Sequence, residues 1–321
     1  MSEKHSYYQG FIAAMQQKIP QKGALVNTVS DLLSIDKDAV YRRLRGDVNF
    51  TFVEMASIAV KLGLSLDRIA GIVTMEHKPV QISMAKHVDP DDSDYRMFSN
   101  YVYLLSSVKD QPDTLLLESG NTFPHSFFYD YDYFTRHNMF CWHLGNNDGN
   151  DIPYHQISIP EPMRVLQKKV CEYFRHIKTA KYVWDRMIFQ RIVDNIKFFA
   201  KLRLIRDEDV LLLKNELLEI VNDVEKLAVR GRHEETGNEV SIYISDILFE
   251  TNYSAIYSQS LYLSQFKTFL LNSNSSLDED VYHRVSQWVL ALQRKATLIS
   301  VSGEKIRTEF FNTQRTIINT L

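Results

Sequence analysis

Residues 34–47 read SIDKDAVYRRLRGD, and this stretch decides how the first part of the chain folds. Ile35, Val40 and Leu44 supply apolar residues at helical spacing, three arginines follow within the last turn, and a glycine comes after them. The spacing predicts a helix over residues 37–45. That helix is either a surface helix that carries charge or one whose exposed face enters a DNA groove.

Several short helical patterns surround this stretch. Residues 5–19 have the pattern of an amphipathic helix, further patterns cover residues 24–33 and 51–62, and a brief turn starts at Ser65. Short helices on short connections predict a compact all-α unit that closes near residue 72.

The segment VSDLLSIDKDAVYRRLRGDVNFTFVEMASIAVKLGLSLDRI, residues 29–69, resembles the helix-turn-helix domain of the Cro/C1-type (XRE-like) repressor family, and the resemblance is confined to about residues 24–70. It implies a lambda repressor-like, all-α N-terminal domain. The matching positions are Val29-Ser30, Leu33, Ile35, Asp36, Gly46, Ile58-Ala59, Leu62-Gly63 and Ser65-Leu66-Asp67.

Two of these residues also have a physical reason to mark the ends of the helix. Asp36 is a plausible N-cap because its carboxylate can accept hydrogen bonds from the first free amides. Gly46 can adopt the left-handed conformation that ends a helix. Both ends therefore agree with a helix over residues 37–45.

The resemblance implies that this helix enters the major groove of double-stranded DNA, with base contacts at Lys37, Asp38, Tyr41 and Arg42. Arg42 is the strongest candidate, because a guanidinium can pair with both major-groove acceptors of guanine. Asp38 has two roles open to it. It can accept from a cytosine amine, or it can orient Arg42 from one helical turn away, and we favour the second.

Five further residues are expected to contact DNA phosphates rather than bases. They are Arg43, Arg45, Lys22, Asn27 and Asn49.

The segment departs from the family pattern in two places. Val26 stands where many members carry a glutamine, and Arg43 and Leu44 stand where an apolar residue and often a glutamate are usual. The apolar spacing becomes four residues instead of three. Which of Arg42, Arg43 and Arg45 faces the bases is therefore open.

Composition limits the classes of function. The 321 residues are 45% hydrophobic and 24% charged with a net charge of −3, so the chain as a whole is not a polybasic nucleic-acid binder. Residues 1–70 hold nine basic and seven acidic side chains, a net of +2, which concentrates attraction for DNA on the small domain. No stretch approaches ~18 apolar residues, so we expect no membrane contact and a cytoplasmic location.

The rest of the chain is predicted to be a larger α+β domain. We expect a helix-turn-helix domain at 1–73, a linker at 74–93 that is alternatively an ordered surface strap, and the second domain at 94–321. Strands are predicted at 113–118, 155–159, 179–184 and, as a pair, within 240–258, and helices at 94–109, 161–177, 185–203, 207–229, 259–271, 278–298 and 303–320.

The aromatic segment 124–143 contains histidines, a cysteine and aspartates, the usual types of metal ligand. The spacing matches no standard zinc pattern, so we assign no metal and no cofactor. An aromatic-lined ligand pocket and ordinary aromatic core are the other readings. The candidate ligands are His125, Asp130, Asp132, His137, Cys141 and His143.

These observations predict a sequence-specific DNA-binding transcriptional regulator. A single recognition helix covers one half-site, so a homodimer is expected, and the second domain is expected to mediate dimerisation and to leave room for a small-molecule effector. Nothing resembles a nucleophile elbow, a Walker loop or a dinucleotide fingerprint, so no enzymatic activity is expected. The alternatives are a protein-interaction adaptor with a repurposed helix-turn-helix, or a small-ligand-binding domain fused to a DNA reader.

Overall fold

The computed structural model describes residues 3–64, 66–69, 80–82, 88–146, 152–247, 251–267 and 273–321. The chain divides into two compact units, residues 1–79 and residues 80–321. Each unit has its own hydrophobic core.

The described part of the first unit is helical. Its core combines aromatic residues of α1, such as Phe11, with aliphatic residues of the later helices, such as Leu25, Val40 and Ile58, and all four side chains are fully buried. The helices are α1 (Glu3–Lys18), α2 (Lys22–Leu33), α3 (Lys37–Arg45), α4 (Phe52–Leu62) and α5 (Leu66–Ile69).

The ends of α3 and α4 follow from local chemistry. Gly46 has φ +84°, and Gly46 and Asp47 donate to the Arg43 and Arg42 carbonyl oxygens at 3.0 and 2.9 Å, which closes α3 with a left-handed residue. Gly63, with φ +63°, ends α4 in the same conformation. Ser65, where a brief turn is predicted to start, lies outside the described residues.

The described residues of the second unit form an eight-stranded sheet with the order β1-β7-β6-β5-β2-β3-β4-β8. The strands are β1 (Gln81–Ile82), β2 (Leu115–Gly120), β3 (Thr179–Asp185), β4 (Glu239–Ser245), β5 (Tyr253–Ser258), β6 (Leu261–Lys267), β7 (Ser273–Ser276) and β8 (Thr297–Leu298). The helices are α6 (Asp92–Val108), α7 (His125–Phe128), α8 (Asp132–Asn146), α9 (Glu161–Arg175), α10 (Gln190–Lys201), α11 (Asp207–Arg230), α12 (Glu279–Gln293) and α13 (Glu304–Ile318).

The predicted fold class, an all-α domain followed by an α+β domain, is wrong, because the larger unit is an α/β domain. Strands β2, β3 and β4 are parallel neighbours. Parallel strands need crossover connections, and helices α7–α9 and α10–α11 supply them. The remaining strands pair antiparallel on both sides of this centre, so the sheet is mixed.

Helices cover both faces of the sheet. Because side chains alternate along a strand, Leu116 packs into the large core with α6–α11 and α13, while Leu117 packs under α12 on the opposite face. The C-terminal aromatics Phe310 and Phe311 are fully buried in the large core. The central strands are therefore buried on both sides.

Two element predictions in the second unit are wrong, and a third is right only in part. The expected helix 259–271 contains strand β6, because its residues close a hairpin with β5 in which Ser258 pairs with Leu261. The expected strand 155–159 begins as a 3₁₀ turn, with the buried Tyr154 hydroxyl donating to the Tyr133 carbonyl oxygen. The two strands predicted within 240–258 are confirmed as β4 and β5, but they do not pair with each other, because β2 and β3 lie between them.

The predicted linker lies partly outside the described residues. Within it, Gln81 and Ile82 form β1 and pair with Ser275 and Asn274 of β7, and α6 starts at Asp92. Among the described helices of the whole chain, none combines the length and the apolar character needed to cross a membrane.

Candidate nucleic-acid interface

Helix α3 presents one exposed polar face. Val40 and Leu44 are buried, and with about 100° of rotation per residue the positions opposite them are 38, 42 and 45. Asp38, Arg42 and Arg45 are all exposed. The four-residue apolar spacing therefore gives α3 a buried side and an outward side that carries two of the three arginines.

Arg43 is placed differently from the other two arginines, so the phosphate role predicted for it needs correction. Its guanidinium pairs with Glu54 of α4 at 2.9 Å and donates to the Ala39 carbonyl oxygen at 3.4 Å. It also lies over the Phe50 ring, 5.8 Å from the centroid. These contacts commit Arg43 to holding α3 on α4.

Glu54 performs two tasks at the start of α4. It accepts from the Thr51 amide at 2.7 Å, while the Thr51 hydroxyl accepts from the Glu54 amide at 3.2 Å, which forms a capping box. Burial opposes ionisation, but the hydrogen bonds from Thr51 and Arg43 outweigh it and hold the pKa of Glu54 below its usual value. One carboxylate therefore caps α4 and anchors α3.

Tyr8 of α1 holds the C-terminal end of α3. Its buried hydroxyl donates to the Arg43 carbonyl oxygen at 2.8 Å and accepts from the Phe50 amide at 3.2 Å. These contacts satisfy backbone groups at the end of α3 and in the loop that follows it. Sequence reasoning missed both Tyr8 and Glu54; the Thr51–Glu54 spacing signals a capping box, whereas nothing local signals Tyr8.

Arg45 and Asp47 form an exposed ion pair at the end of α3, with a distance of 2.7 Å. Their side chains are 58% and 50% exposed, so the pair is weakly held and Arg45 can exchange it for a phosphate at little cost. Asn49 is exposed in the loop that follows. The predicted phosphate roles of Arg45 and Asn49 are compatible with these positions.

Lys22, at the start of α2, lies next to the exposed side of α3. Its ammonium is 5.7 Å from the centroid of the half-buried Tyr41 ring. Lys37 and Asn27 are exposed on α3 and α2. Lys22 therefore lies beside Tyr41, one of the residues predicted to contact bases.

Two predictions about aspartates on α3 need correction. Asp36 has the extended backbone of an N-cap residue, but its side chain makes no capping hydrogen bond. Asp38 forms no ion pair with Arg42 among the described residues, so the structure does not contain the orienting contact that we favoured. Both carboxylates are exposed at the N-terminal end of the helix.

The turn between α2 and α3 is fixed by its own hydrogen bonds. Ser34 has φ +51°, a left-handed conformation, and the Ile35 amide donates to the Ser30 carbonyl oxygen at 3.2 Å. The Ser30 hydroxyl donates to the Ile35 carbonyl oxygen at 2.6 Å. This paired closure sets the angle at which α3 leaves α2.

The side chains of segment 124–143 do not converge on a common centre. Cys141 donates to the Asn195 side-chain oxygen at 3.0 Å, with the His137 Nε2 atom 3.6 Å away, whereas Asp130 pairs with Arg175 at 2.6 Å. Asp132 pairs with Arg164. Within the described ranges, no three side chains of histidine, cysteine, aspartate or glutamate are grouped as metal ligands.

Comparisons with known proteins give no relative for the chain: no family model matches it, no curated protein is similar to it, and no solved structure resembles it.

Proposed function

We propose that the chain is a sequence-specific DNA-binding transcriptional regulator whose helix α3 reads the major groove of double-stranded DNA. The observation that carries the proposal is the division of charge on α3. Arg42 and Arg45 are exposed on its outward side, while Arg43 holds the opposite side on α4. A rigidly seated helix that presents exposed guanidinium groups is suited to contact base edges and phosphates.

The roles follow from position. Arg42, near the middle of the exposed side, is assigned to a guanine, and Lys37 and Tyr41 to neighbouring bases or their sugars. Arg45, Lys22, Asn27 and Asn49 are assigned to phosphates. Arg43 leaves the contact set. The protein is expected to act in the cytoplasm as a homodimer, since two coupled recognition helices bind two half-sites far more tightly than one.

Selection from a random library of double-stranded DNA with the full chain tests the proposal. We expect an enriched sequence with two related half-sites whose affinity falls as salt concentration rises, because phosphate contacts release counterions. Lys61→Ala is the charge-matched control for a substitution of Arg42, since the exposed Lys61 lies on α4 and not on α3. A folded protein that shows no salt-sensitive DNA binding at any concentration tested contradicts the proposal.

A second candidate function, protein interaction through the first unit, is favoured by three exposed apolar side chains on α4. Phe52, Val53 and Val60 are 78%, 72% and 86% exposed, and Val53 and Val60 lie on one side of the helix, seven residues apart. Failure of the DNA selection, together with a stable complex that is lost on Val60→Lys, would favour this function.

A further inference from the structure

Polar side chains gather inside the second unit near the carboxyl end of β2. Glu118, only 5% exposed, lies next to Tyr182 of parallel β3 on one side and Ser254 of antiparallel β5 on the other. Directly paired residues point to the same face of a sheet. In α/β sheets, ligands bind where the strand order switches, at the carboxyl ends of parallel strands.

Glu118 and Lys267, two ionisable side chains of opposite type, influence each other in this cluster but form no ion pair among the described residues. Burial raises the pKa of Glu118 to about 8 and lowers the pKa of Lys267 to about 8, and each is counteracted by the charge of the other. Within the described part of the chain the Glu118 carboxylate makes no hydrogen bond, and the Lys267 ammonium donates only to the Thr122 hydroxyl, at 2.9 Å. Both groups keep unused capacity for a charged partner.

A chain of hydrogen bonds links His125, Tyr101 and the side-chain amide of Gln265 in the same cluster. The Tyr101 hydroxyl donates to the Gln265 side-chain oxygen at 3.0 Å, so its contact with His125 Nε2, at 3.2 Å, requires the imidazole to donate. Burial lowers the pKa of His125 to about 4, which keeps the ring neutral. The Gln265 amide nitrogen donates to no described residue and is free to bind an acceptor.

Two further polar atoms at this end of the sheet have no partner. The Ser254 hydroxyl and the Trp184 indole nitrogen are occluded from solvent and make no hydrogen bond with the described residues. Ser254 pairs with both Glu118 and Gln265, and the fully buried Trp184 pairs with Gly120. Buried polar groups are almost always satisfied, so these atoms mark places where a ligand or ordered water binds.

The loop after β2 is held rigidly around the cluster. The Asn252 side-chain oxygen accepts from the amides of Asn121 and Thr122 at 3.0 and 3.3 Å, and its nitrogen donates to the Thr122 hydroxyl at 2.7 Å. A methyl group at Gly120 would collide with Asn252. These hydrogen bonds hold in place the loop that carries Thr122, the hydrogen-bond partner of Lys267.

We propose that this cluster binds a small zwitterion, an α-amino acid, with its ammonium group at Glu118 and its carboxylate at Lys267 and Gln265. A simple anion would leave the buried Glu118 side chain without a partner, and a simple amine would leave Lys267 without a counter-charge. Tyr182 pairs with Glu118, and the Tyr129 ring lies 5.7 Å from the imidazole of His125, so both buried rings suit an apolar side chain on the ligand. The inference stands independently of DNA binding.

Titration calorimetry on the full chain tests this inference, with a panel of L-α-amino acids at concentrations up to about 10 mM, enough to detect millimolar affinity. We expect saturable binding of at least one amino acid with an apolar side chain. Its methyl ester and its α-keto analogue, which lack one charge each, should bind at least about tenfold more weakly. Absence of heat from every amino acid, or equal affinity for an amino acid and its ester, overturns the inference.

Two variants locate the site. Glu118→Gln and Lys267→Met should each weaken the binding of the amino acid at least about tenfold, while Glu219→Gln and Lys201→Met, at exposed positions on α11 and α10, should not. Unchanged affinity in both cluster variants overturns the inference. If a cluster variant fails to fold, the ester and keto analogues on the wild-type chain decide alone. DNA binding, measured separately on the same preparation, distinguishes failure here from failure of the regulator proposal.

Discussion

At the scale of single residues, the three arginines of α3 differ in where their guanidinium groups lie. Arg42 is exposed, Arg45 shares an exposed pair with Asp47, and Arg43 is bound to Glu54. An exposed arginine contributes little to folding, whereas one that satisfies a half-buried carboxylate contributes more. Substitutions at the three sites should therefore separate DNA binding from stability.

Arg42→Ala should weaken specific DNA binding by ~1–3 kcal/mol and relax the preference at one base pair, without changing the melting temperature. Arg43→Ala should lower the melting temperature, because it leaves Glu54 and the end of α3 less well satisfied. Equilibrium titrations and thermal melts of both variants, with Lys61→Ala as control, provide the measurement. Unchanged sequence preference in the Arg42 variant would remove Arg42 from the base-reading set.

Gly46 gives a second prediction at this scale. Its φ of +84° is a conformation that residues with a side chain rarely adopt, while the space around it would admit a methyl group. Gly46→Ala should therefore destabilise the first unit by about 1 kcal/mol through backbone strain alone. Gly23→Ala is the matched control, since Gly23 has an ordinary helical backbone and equal space. Equal melting temperatures for the two variants would argue against this explanation.

At the scale of elements, α3 is held by contacts from helices before and after it in the chain. Tyr8 of α1 binds its last turn, and Glu54 of α4 binds Arg43. The orientation of α3 thus depends on side chains outside the exposed face of that helix. This is why the bounds of α3 could be predicted from residues 34–47, whereas the direction of Arg43 could not.

The pairing of Glu54 predicts a dependence of stability on pH. Since the folded pKa of Glu54 is lowered, its stabilising contribution is present above the usual carboxyl pKa and is lost as the pH falls through the lowered value. Glu54→Gln should therefore reduce the free energy of unfolding near neutral pH, and the difference from wild type should shrink as the pH falls below the usual carboxyl pKa. Denaturant titrations across this range measure it. A difference that is constant with pH would contradict the assignment.

The errors made from sequence occur where distant contacts decide the outcome. Residues 261–267 have enough apolar character for a helix, but pairing with β5 makes them a strand. Glu118 is far in the chain from Gln265 and Lys267, and only the order of strands brings it to one face with them. Lys37 and Arg42, in contrast, could be placed on one helix because their positions depend on local spacing.

At the scale of the whole molecule, the hydrophobic clusters of the two units share no residue. We therefore expect separate thermal transitions. Gly46→Ala should lower only the transition of the first unit, while Gly231→Ala should lower only that of the second, because Gly231 has φ +65° and a methyl group there would collide with Val301. Scanning calorimetry of both variants tests this, and a single transition that shifts equally in both would contradict it.

The strand order has a consequence for synthesis on the ribosome. β2 and β3 emerge early and pair in parallel, but the other neighbour of β2 is β5, residues 253–258. Until β5 has been made, one edge of β2 is open, and an open strand edge readily recruits another chain. During synthesis the nascent chain can therefore misassemble through the open edge of β2 until β5 pairs with it. The first helices of the chain have had time to fold by then.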